Sequence, residues 1–128
     1  MSHKILVVED HEDNRRIIYD LLTAHGFDVV EAVTGLEGVR AAERQNPALI
    51  LMDIQLPEID GYEATRRIKS QPALEHIPII IITSYALSGD DLKAYDAGCN
   101  EYVSKPYSPR KLLTKIRKFL PETPAGET

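Results

Sequence analysis

The sequence of 128 residues lacks several features that would place a protein outside the cytoplasm. Its single cysteine, Cys99, excludes an internal disulfide and favours a reducing compartment. Its longest apolar run, residues 77–82, is interrupted by Pro78 and falls far short of the roughly 18 to 20 residues that span a bilayer. The amino terminus becomes acidic at Glu9, too early for a secretory signal. We therefore expect a cytoplasmic protein with no membrane partner.

Basic residues are scarce as well. The formal net charge is −5 and the pI is about 5.3, which disfavours a nucleic-acid partner because phosphate binding requires a basic surface. Residues 1–64 hold 5 Lys and Arg against 13 Asp and Glu, whereas residues 65–128 hold 10 against 7.

A zinc-binding spacing is also missing, because Cys99 stands alone and the histidines are scattered. We expect ordinary surface or packing roles for His3, His11, His25 and His76.

Length and composition predict a single domain. With 43% hydrophobic residues, the chain has the usual size of one domain with its own core. We expect this domain over residues 1–121 and a flexible tail over residues 122–128, which leaves no room for an effector domain.

The hydrophobic pattern alternates between short apolar runs and amphipathic segments. The runs predict strands at about residues 4–8, 27–32, 48–53, 78–83 and 100–104. Helical spacing predicts helices at about residues 13–25, 34–46, 60–70, 87–98 and 108–120. Thr34, Asp60 and Ser108 are the expected caps of the second, third and fifth helices. Ile17 belongs to the apolar face of the first helix, and Leu87, Leu92 and Tyr95 give the spacing of the fourth.

The polarity of the strands predicts their order in the sheet. Five strands alternating with helices indicate a parallel sheet in an α/β protein. The first, third and fourth strands are apolar on both faces and should be central, whereas the mixed second and fifth should be edges. The order is then 2-1-3-4-5, a flavodoxin-like doubly wound (βα)5 fold with its crevice between strands one and three. Glu9 and Asp10 end strand one and Asp53 ends strand three, so we expect these carboxylates to meet there.

Three clustered carboxylates require a cation. Two like charges about 4 Å apart repel by about 4 kcal/mol at an effective dielectric of 20. Mg²⁺ suits a sparse set of oxygen ligands better than Ca²⁺, which takes six to eight oxygens. At the same edge, Thr83 ends the fourth strand and Lys105 follows the fifth. Carboxylate, metal, hydroxyl and ammonium together equip a site for phosphoryl transfer, with Asp53 as the nucleophile.

The chain resembles the receiver domains of two-component response regulators over residues 3–120. The matching stretches are Ile5-Leu-Val-Val-Glu-Asp10, Leu49-Ile-Leu-Met-Asp-Ile-Gln-Leu-Pro57 with Asp60-Gly61, Ile80-Ile-Ile-Thr83 and Asp96-Ala-Gly-Cys-Asn-Glu-Tyr-Val-Ser-Lys-Pro106. The resemblance implies a signalling domain rather than an enzyme. It implies that Asp53 accepts a phosphoryl group from a histidine kinase or phosphotransfer protein.

The resemblance also implies a set of metal ligands. Asp10, Asp53 and the main-chain carbonyl of Gln55 would bind Mg²⁺, and Glu9 would hold a coordinated water.

Further roles follow from the same resemblance. Thr83 would bond the phosphoryl oxygens, Lys105 would pair with them, and Tyr102 would be the aromatic switch that turns inward on activation. The Lys105–Pro106 peptide bond would be cis. Tyr85, a bulky residue at a position that lines the pocket, would limit the access of water.

Among receivers, the sequence is most similar to stand-alone cell-cycle receivers of the DivK type. The similarity lies in Met52-Asp-Ile-Gln-Leu-Pro57 and in the Gly98-Cys99 pair, although receivers of hybrid kinases share the first stretch. The expected output surface is the face of helix four, strand five and helix five, which contains Tyr102. Helix five carries five cations with no acid among them. Singly, each fits a solvated face or suits the carboxyl end of the helix, whereas as a set they would steer an acidic kinase or phosphotransfer protein. They are Arg110, Lys111, Lys115, Arg117 and Lys118.

Two other functions use similar residues. A metal-dependent phosphatase with an Asp nucleophile needs clustered carboxylates, but it generally has a substrate-capping insertion and a second acid where this chain has Gln55. The other alternative is a receiver-like module that binds partners without phosphate. The presence of all the residues needed for phosphoryl transfer argues against it.

Overall fold

The computed structural model describes residues 3–83 and 90–120, and strands alternate with helices throughout these ranges. The elements are β1 (Lys4–Val8), α1 (Glu12–Ala24), β2 (Asp28–Ala32), α2 (Gly35–Gln45), β3 (Leu49–Asp53), α3 (Gly61–Lys69), β4 (Ile79–Thr83), α4 (Asp90–Ala97), β5 (Glu101–Ser104) and α5 (Pro109–Phe119). The predicted alternation is confirmed, with most boundaries shifted by one or two residues. The predicted start of the fourth helix at Leu87 lies outside the described residues.

The five strands form one parallel sheet in the order β2-β1-β3-β4-β5. Every residue of β3 and β4 is buried, and β1 is buried from Ile5 onward. In contrast, β2 includes exposed and half-buried residues, and β5 is mostly half-buried. A strand apolar on both faces is stable only under helices on both sides, so it occupies the centre of the sheet. The predicted flavodoxin-like order is therefore confirmed.

Alternate residues of each central strand enter two separate hydrophobic clusters. Ile50 and Met52 of β3 belong to one cluster, and Leu49 and Leu51 belong to the other. This division follows from the two-residue period of a strand, which directs successive side chains to opposite faces. Each fully buried Leu or Ile contributes about 1.5–3 kcal/mol, so both faces hold the site-bearing strand in place.

The predicted caps fix where three helices begin. The side-chain oxygen of Thr34 accepts a hydrogen bond from the Glu37 amide at 3.0 Å, and Asp60 accepts one from the Glu63 amide at 2.8 Å. Ser108 accepts one from the amide of Lys111 at 3.1 Å, with proline at the start of the helix. Each cap satisfies an amide that has no partner within its own helix.

Two predicted helical faces are partly wrong. Ile17 of α1 is 60% exposed, and Leu92 and Tyr95 of α4 are 66% and 45% exposed. The short α4 instead buries its small residues Ala94 and Ala97. Close packing by alanines brings this helix near the core and leaves the larger side chains at its rim.

Within residues 3–83 and 90–120, none of the helices is both long and apolar enough to span a bilayer.

Candidate functional site

Three carboxylates meet at the carboxyl edge of the sheet, as predicted. Glu9 and Asp10 follow β1, and Asp53 is the last residue of β3, its neighbour in the sheet. One carboxylate oxygen from each residue lies within 4.8 Å of the others. Glu9 is 2% exposed and Asp53 is 7% exposed, whereas Asp10 is exposed. The cluster therefore has a buried floor and one acid on the solvent side.

The ammonium of Lys105 closes the other side of the cluster. Its Nζ lies 3.4 Å from Asp53 Oδ1 and 3.6 Å from Glu9 Oε1. The Lys105 amide donates to the Thr83 carbonyl at 2.6 Å, which extends the β4–β5 pairing to the base of the lysine. The Lys105–Pro106 peptide bond is cis, as the family resemblance implied. One ammonium faces three carboxylates, so the cluster retains negative charge that a divalent cation can neutralise.

The buried acids are poorly stabilised as anions. Burial raises the pKa of Asp53, and the charge and hydrogen bond of Lys105 only partly oppose that rise. Burial also raises the pKa of Glu9, against a lowering hydrogen bond from the His11 amide, and the negative charge of Asp53 raises it further. A bound cation would favour both ionised forms. The donor set, which consists of carboxylate oxygens, suits a hard ion such as Mg²⁺.

Main-chain contacts hold the β1 end of the cluster. The His11 amide donates to Glu9 Oε2 at 3.0 Å, and the Glu9 amide donates to the Ala32 carbonyl at 3.0 Å. Arg15 Nη1 donates to the Glu9 carbonyl at 3.0 Å, and Arg15 Nε pairs with Glu31 Oε1 at 2.9 Å. No local sequence pattern around Arg15 indicates that its guanidinium reaches back to β1, so only the structure identifies this contact.

A tight loop follows Asp53 and places Gln55. The Leu56 and Gly61 amides both donate to the Ile54 carbonyl, at 3.0 and 2.8 Å. A β-carbon added at Gly61 would collide with the Asp53 carbonyl, so α3 packs against the end of β3 only with glycine here. The exposed Gln55 lies two residues beyond Asp53, at the turn that these contacts define.

Thr83 and Tyr102 lie on the next two strands. Asp53 pairs with Ile82 in the sheet register, and Thr83 pairs with Ser104 one residue further on. Thr83 is 1% exposed at the end of β4, on the same edge as the carboxylates. Tyr102 is half-buried on β5 and meets Tyr95 of α4 edge to face, with ring centroids 6.0 Å apart. Tyr85 lies outside the described residues.

The predicted set of unopposed cations on α5 is wrong in part. Glu101 of β5 accepts a hydrogen bond from Lys118 at 2.7 Å and pairs with Lys115 at 3.5 Å. The Tyr95 hydroxyl donates to the same carboxylate at 3.0 Å. The sequence of α5 contains no acid, but the adjacent strand supplies one. Tyr95 and Glu101 were missed as interacting residues because they lie on different elements.

The fold and the cluster define a flavodoxin-like α/β protein with an acidic, lysine-closed site in the crevice between β1 and β3. The family model described as "Response regulator receiver domain" matches residues 5–117. The chain belongs to that family. Receiver domains are signalling domains rather than classical enzymes, and phosphorylation-driven signalling is general to the family.

Relatives of known function or structure cover nearly the whole chain. The polar-differentiation response regulator DivK of Brucella ovis is 39% identical over 94% of this chain and 98% of its own length. The receiver domain of sensor histidine kinase PA1611 from Pseudomonas aeruginosa is 38% identical, with a TM-score of 0.89 over 95% of this chain and 100% of that one. That crystal structure has a magnesium ion coordinated in the active-site cleft.

A phosphorylated relative has the same fold. The phosphorylated cyanobacterial phytochrome response regulator RcpA is 30% identical, with a TM-score of 0.80 over 94% of this chain and 96% of that one. The chain is thus similar both to stand-alone regulators and to a receiver domain of a sensor kinase.

Proposed function

We propose that this chain is a stand-alone, cytoplasmic receiver that accepts a phosphoryl group on Asp53 and signals through a phosphorylation-driven change in protein binding. The observation that carries the proposal is the position of Asp53, whose carboxylate lies 3.4 Å from Lys105 Nζ and belongs to the acidic cluster of Glu9 and Asp10. The stand-alone form is supported by DivK, which this chain matches over 98% of the length of that relative. The family model covers residues 5–117 of this proposed receiver.

Asp53 is the nucleophile of the proposed reaction. A carboxylate oxygen of Asp53 forms a bond to phosphorus, while the bond between phosphorus and the donor nitrogen of a phosphohistidine breaks. The donor is a histidine kinase or a histidine phosphotransfer protein. The pair of electrons from the broken bond returns to the imidazole ring, whose other nitrogen carries a proton, so the ring leaves as neutral imidazole.

Side chains around Asp53 neutralise the charge of the transferred group. Asp10, Asp53 and the main-chain carbonyl of Gln55 would hold Mg²⁺, and Glu9 would hold one of its waters. When bound, the ion would supply charge neutralisation at the phosphoryl oxygens. Lys105, already within reach of Asp53, pairs with a phosphoryl oxygen, and the Thr83 hydroxyl donates to another.

The signal leaves through the face formed by α4, β5 and α5. Thr83 moves towards the phosphoryl group and opens space for Tyr102, which shifts an existing equilibrium between two conformations. The edge-to-face contact between Tyr102 and Tyr95 connects that movement to α4. A protein target reads the changed surface.

Labelling with acetyl phosphate and Mg²⁺ tests the phosphoacceptor. Wild type should acquire an acid-labile, hydroxylamine-sensitive phosphate, and Asp53→Asn should acquire none while keeping its fold by circular dichroism. Asp96→Asn, which changes an exposed acid on α4, is the matched control and should be labelled normally. Undiminished label in Asp53→Asn would overturn the assignment. Turnover of a generic phosphate ester by wild type would instead favour the phosphatase.

A further inference from the structure

Arg15 connects α1 to the ends of two strands at the edge of the site. Nη1 donates to the Glu9 carbonyl at 3.0 Å, and Nε pairs with Glu31 Oε1 at 2.9 Å. Its side chain is 19% exposed, the contact with the Glu9 carbonyl is partly buried, and the pair with Glu31 lies at the surface. A planar guanidinium can satisfy two acceptors in fixed directions, which an ammonium cannot do.

The carbonyl that Arg15 holds belongs to the peptide unit between Glu9 and Asp10. Within the described residues, no hydrogen bond or ion pair reaches the carboxylate of Asp10, which is exposed. The direction of this side chain therefore depends on the main chain that precedes it. Fixing the Glu9 carbonyl fixes the peptide plane, because the peptide bond is rigid, and the plane sets the position of the Asp10 α-carbon.

We infer that Arg15 is a positioning residue for the metal site. It holds the Glu9–Asp10 peptide so that both carboxylates point at one ion. The inference rests on the proposed function, since it takes Glu9 and Asp10 as parts of the Mg²⁺ site. Arg15 touches neither the ion nor the reacting atoms, so it acts only through the geometry of the residues that do.

Because Arg15 is positively charged, the direction in which its removal changes Mg²⁺ affinity tests the inference. A cation near the site repels Mg²⁺, so removing it would strengthen metal binding if Arg15 acted only through space. Loss of a positioning contact weakens metal binding instead. The two explanations therefore predict opposite changes in the dissociation constant.

Arg16 provides a matched control. It is the next residue of α1 with the same charge, and its side chain is exposed. Within the described residues, no hydrogen bond or ion pair of Arg16 is found. Arg16→Gln thus removes the same charge from the same helix without removing a contact to β1.

Calorimetric titration with MgCl₂ measures the effect without requiring phosphorylation. Arg15→Gln should weaken Mg²⁺ binding by about tenfold, the lower end of the range for residues that orient metal ligands. Arg16→Gln should bind Mg²⁺ as tightly as wild type or slightly more tightly. At saturating Mg²⁺, the rate of labelling by acetyl phosphate should return to the wild-type value in Arg15→Gln, because the reacting groups are intact.

A second variant keeps the inference testable if Arg15→Gln does not fold. Arg15→Lys retains the charge and the apolar stem, but its single ammonium cannot replace the two guanidinium nitrogens that contact the Glu9 carbonyl and Glu31. This variant should therefore also bind Mg²⁺ more weakly than wild type. Wild-type affinity in Arg15→Lys, or affinity in Arg15→Gln equal to or tighter than that of Arg16→Gln, would overturn the inference. Absence of Mg²⁺ binding in wild type would instead overturn the proposed metal site.

Discussion

Lys118 of α5 donates a hydrogen bond of 2.7 Å to Oε2 of Glu101, the first residue of β5. The same carboxylate accepts from the Tyr95 hydroxyl and from the Tyr102 amide, at 3.0 and 3.1 Å. One acid therefore joins α4, β5 and α5 on the face proposed to carry the signal. The stability and the charge of that face both depend on Glu101.

The first prediction concerns the acid stability of this network. Burial raises the pKa of Glu101, but hydrogen bonds from Lys118, the Tyr102 amide and Tyr95 outweigh it and hold the pKa at about 2, below the ordinary 4.5. A depressed pKa contributes stability above pH 4.5 that is lost as the pH falls to about 2. Glu101→Gln should lower the free energy of unfolding by about 1–3 kcal/mol at pH 7, a range that allows for solvent screening at Lys118.

Urea denaturation between pH 2 and pH 7 measures the loss. The difference in unfolding free energy between wild type and Glu101→Gln should shrink as the pH falls below 4.5. Glu75→Gln, which removes an exposed acid elsewhere, is the control. A difference that stays constant across this range would show that the network adds no pH-dependent stability.

The second prediction concerns steering by the α5 cations. Because Glu101 already neutralises part of the charge of Lys115 and Lys118, Lys111 should contribute more than either to the attraction of an acidic partner. Lys111→Glu should slow association with the cognate kinase or phosphotransfer protein and flatten its dependence on salt. Stopped-flow association at several ionic strengths measures both.

Lys115→Glu is the informative comparison for the same surface. It places a second carboxylate beside Glu101 and should lower the melting temperature, which Lys111→Glu should leave nearly unchanged. Acetyl phosphate labelling of Asp53 should stay normal in both variants. Unaltered association and salt dependence in Lys111→Glu would mean that the partner binds elsewhere.

The third prediction concerns the repulsion among the carboxylates. Removing one charge should relieve it, so Asp10→Asn should raise the melting temperature of the metal-free protein. Mg²⁺ at 100 times its dissociation constant should stabilise wild type by about 2.7 kcal/mol and Asp10→Asn by much less. Differential scanning calorimetry with EDTA or Mg²⁺ measures both effects. A wild-type melting temperature that millimolar Mg²⁺ does not change would contradict the metal site.

The fourth prediction concerns the coupling of Thr83 to Tyr102. Thr83→Ala should still accept phosphate, because the nucleophile is intact, but the phosphoryl group should no longer draw the end of β4 inward. Amide chemical shifts of β5 and α4 should therefore change on phosphorylation in wild type and remain nearly constant in Thr83→Ala. Thr114→Ala, an exposed α5 threonine, should respond as wild type does. Equal shift changes in wild type and Thr83→Ala would argue against this coupling.

Much of the fold was predictable because it depends on local sequence patterns and on the arrangement of polar and apolar residues along the chain. The strand run Leu49–Asp53 is apolar on both faces, which predicts a central strand, and its last residue must lie at the carboxyl edge. The caps at Thr34, Asp60 and Ser108 satisfy helix amides three residues away, so the sequence shows both partners of each contact. Exposure was less predictable, since Leu92 and Tyr95 follow the helical period but lie outside the packed face.

The sequence by itself determined the order of the strands, the edge where Glu9, Asp10 and Asp53 meet, and the residue types available there. These features follow from the period of the strand, the hydrophobicity of each run and the direction of a parallel sheet. Only the tertiary structure decided that Arg15 reaches the Glu9 carbonyl and that Glu101 pairs with Lys118. Such partners lie on different elements, and their atoms come within hydrogen-bonding distance only after the helices have packed on the sheet.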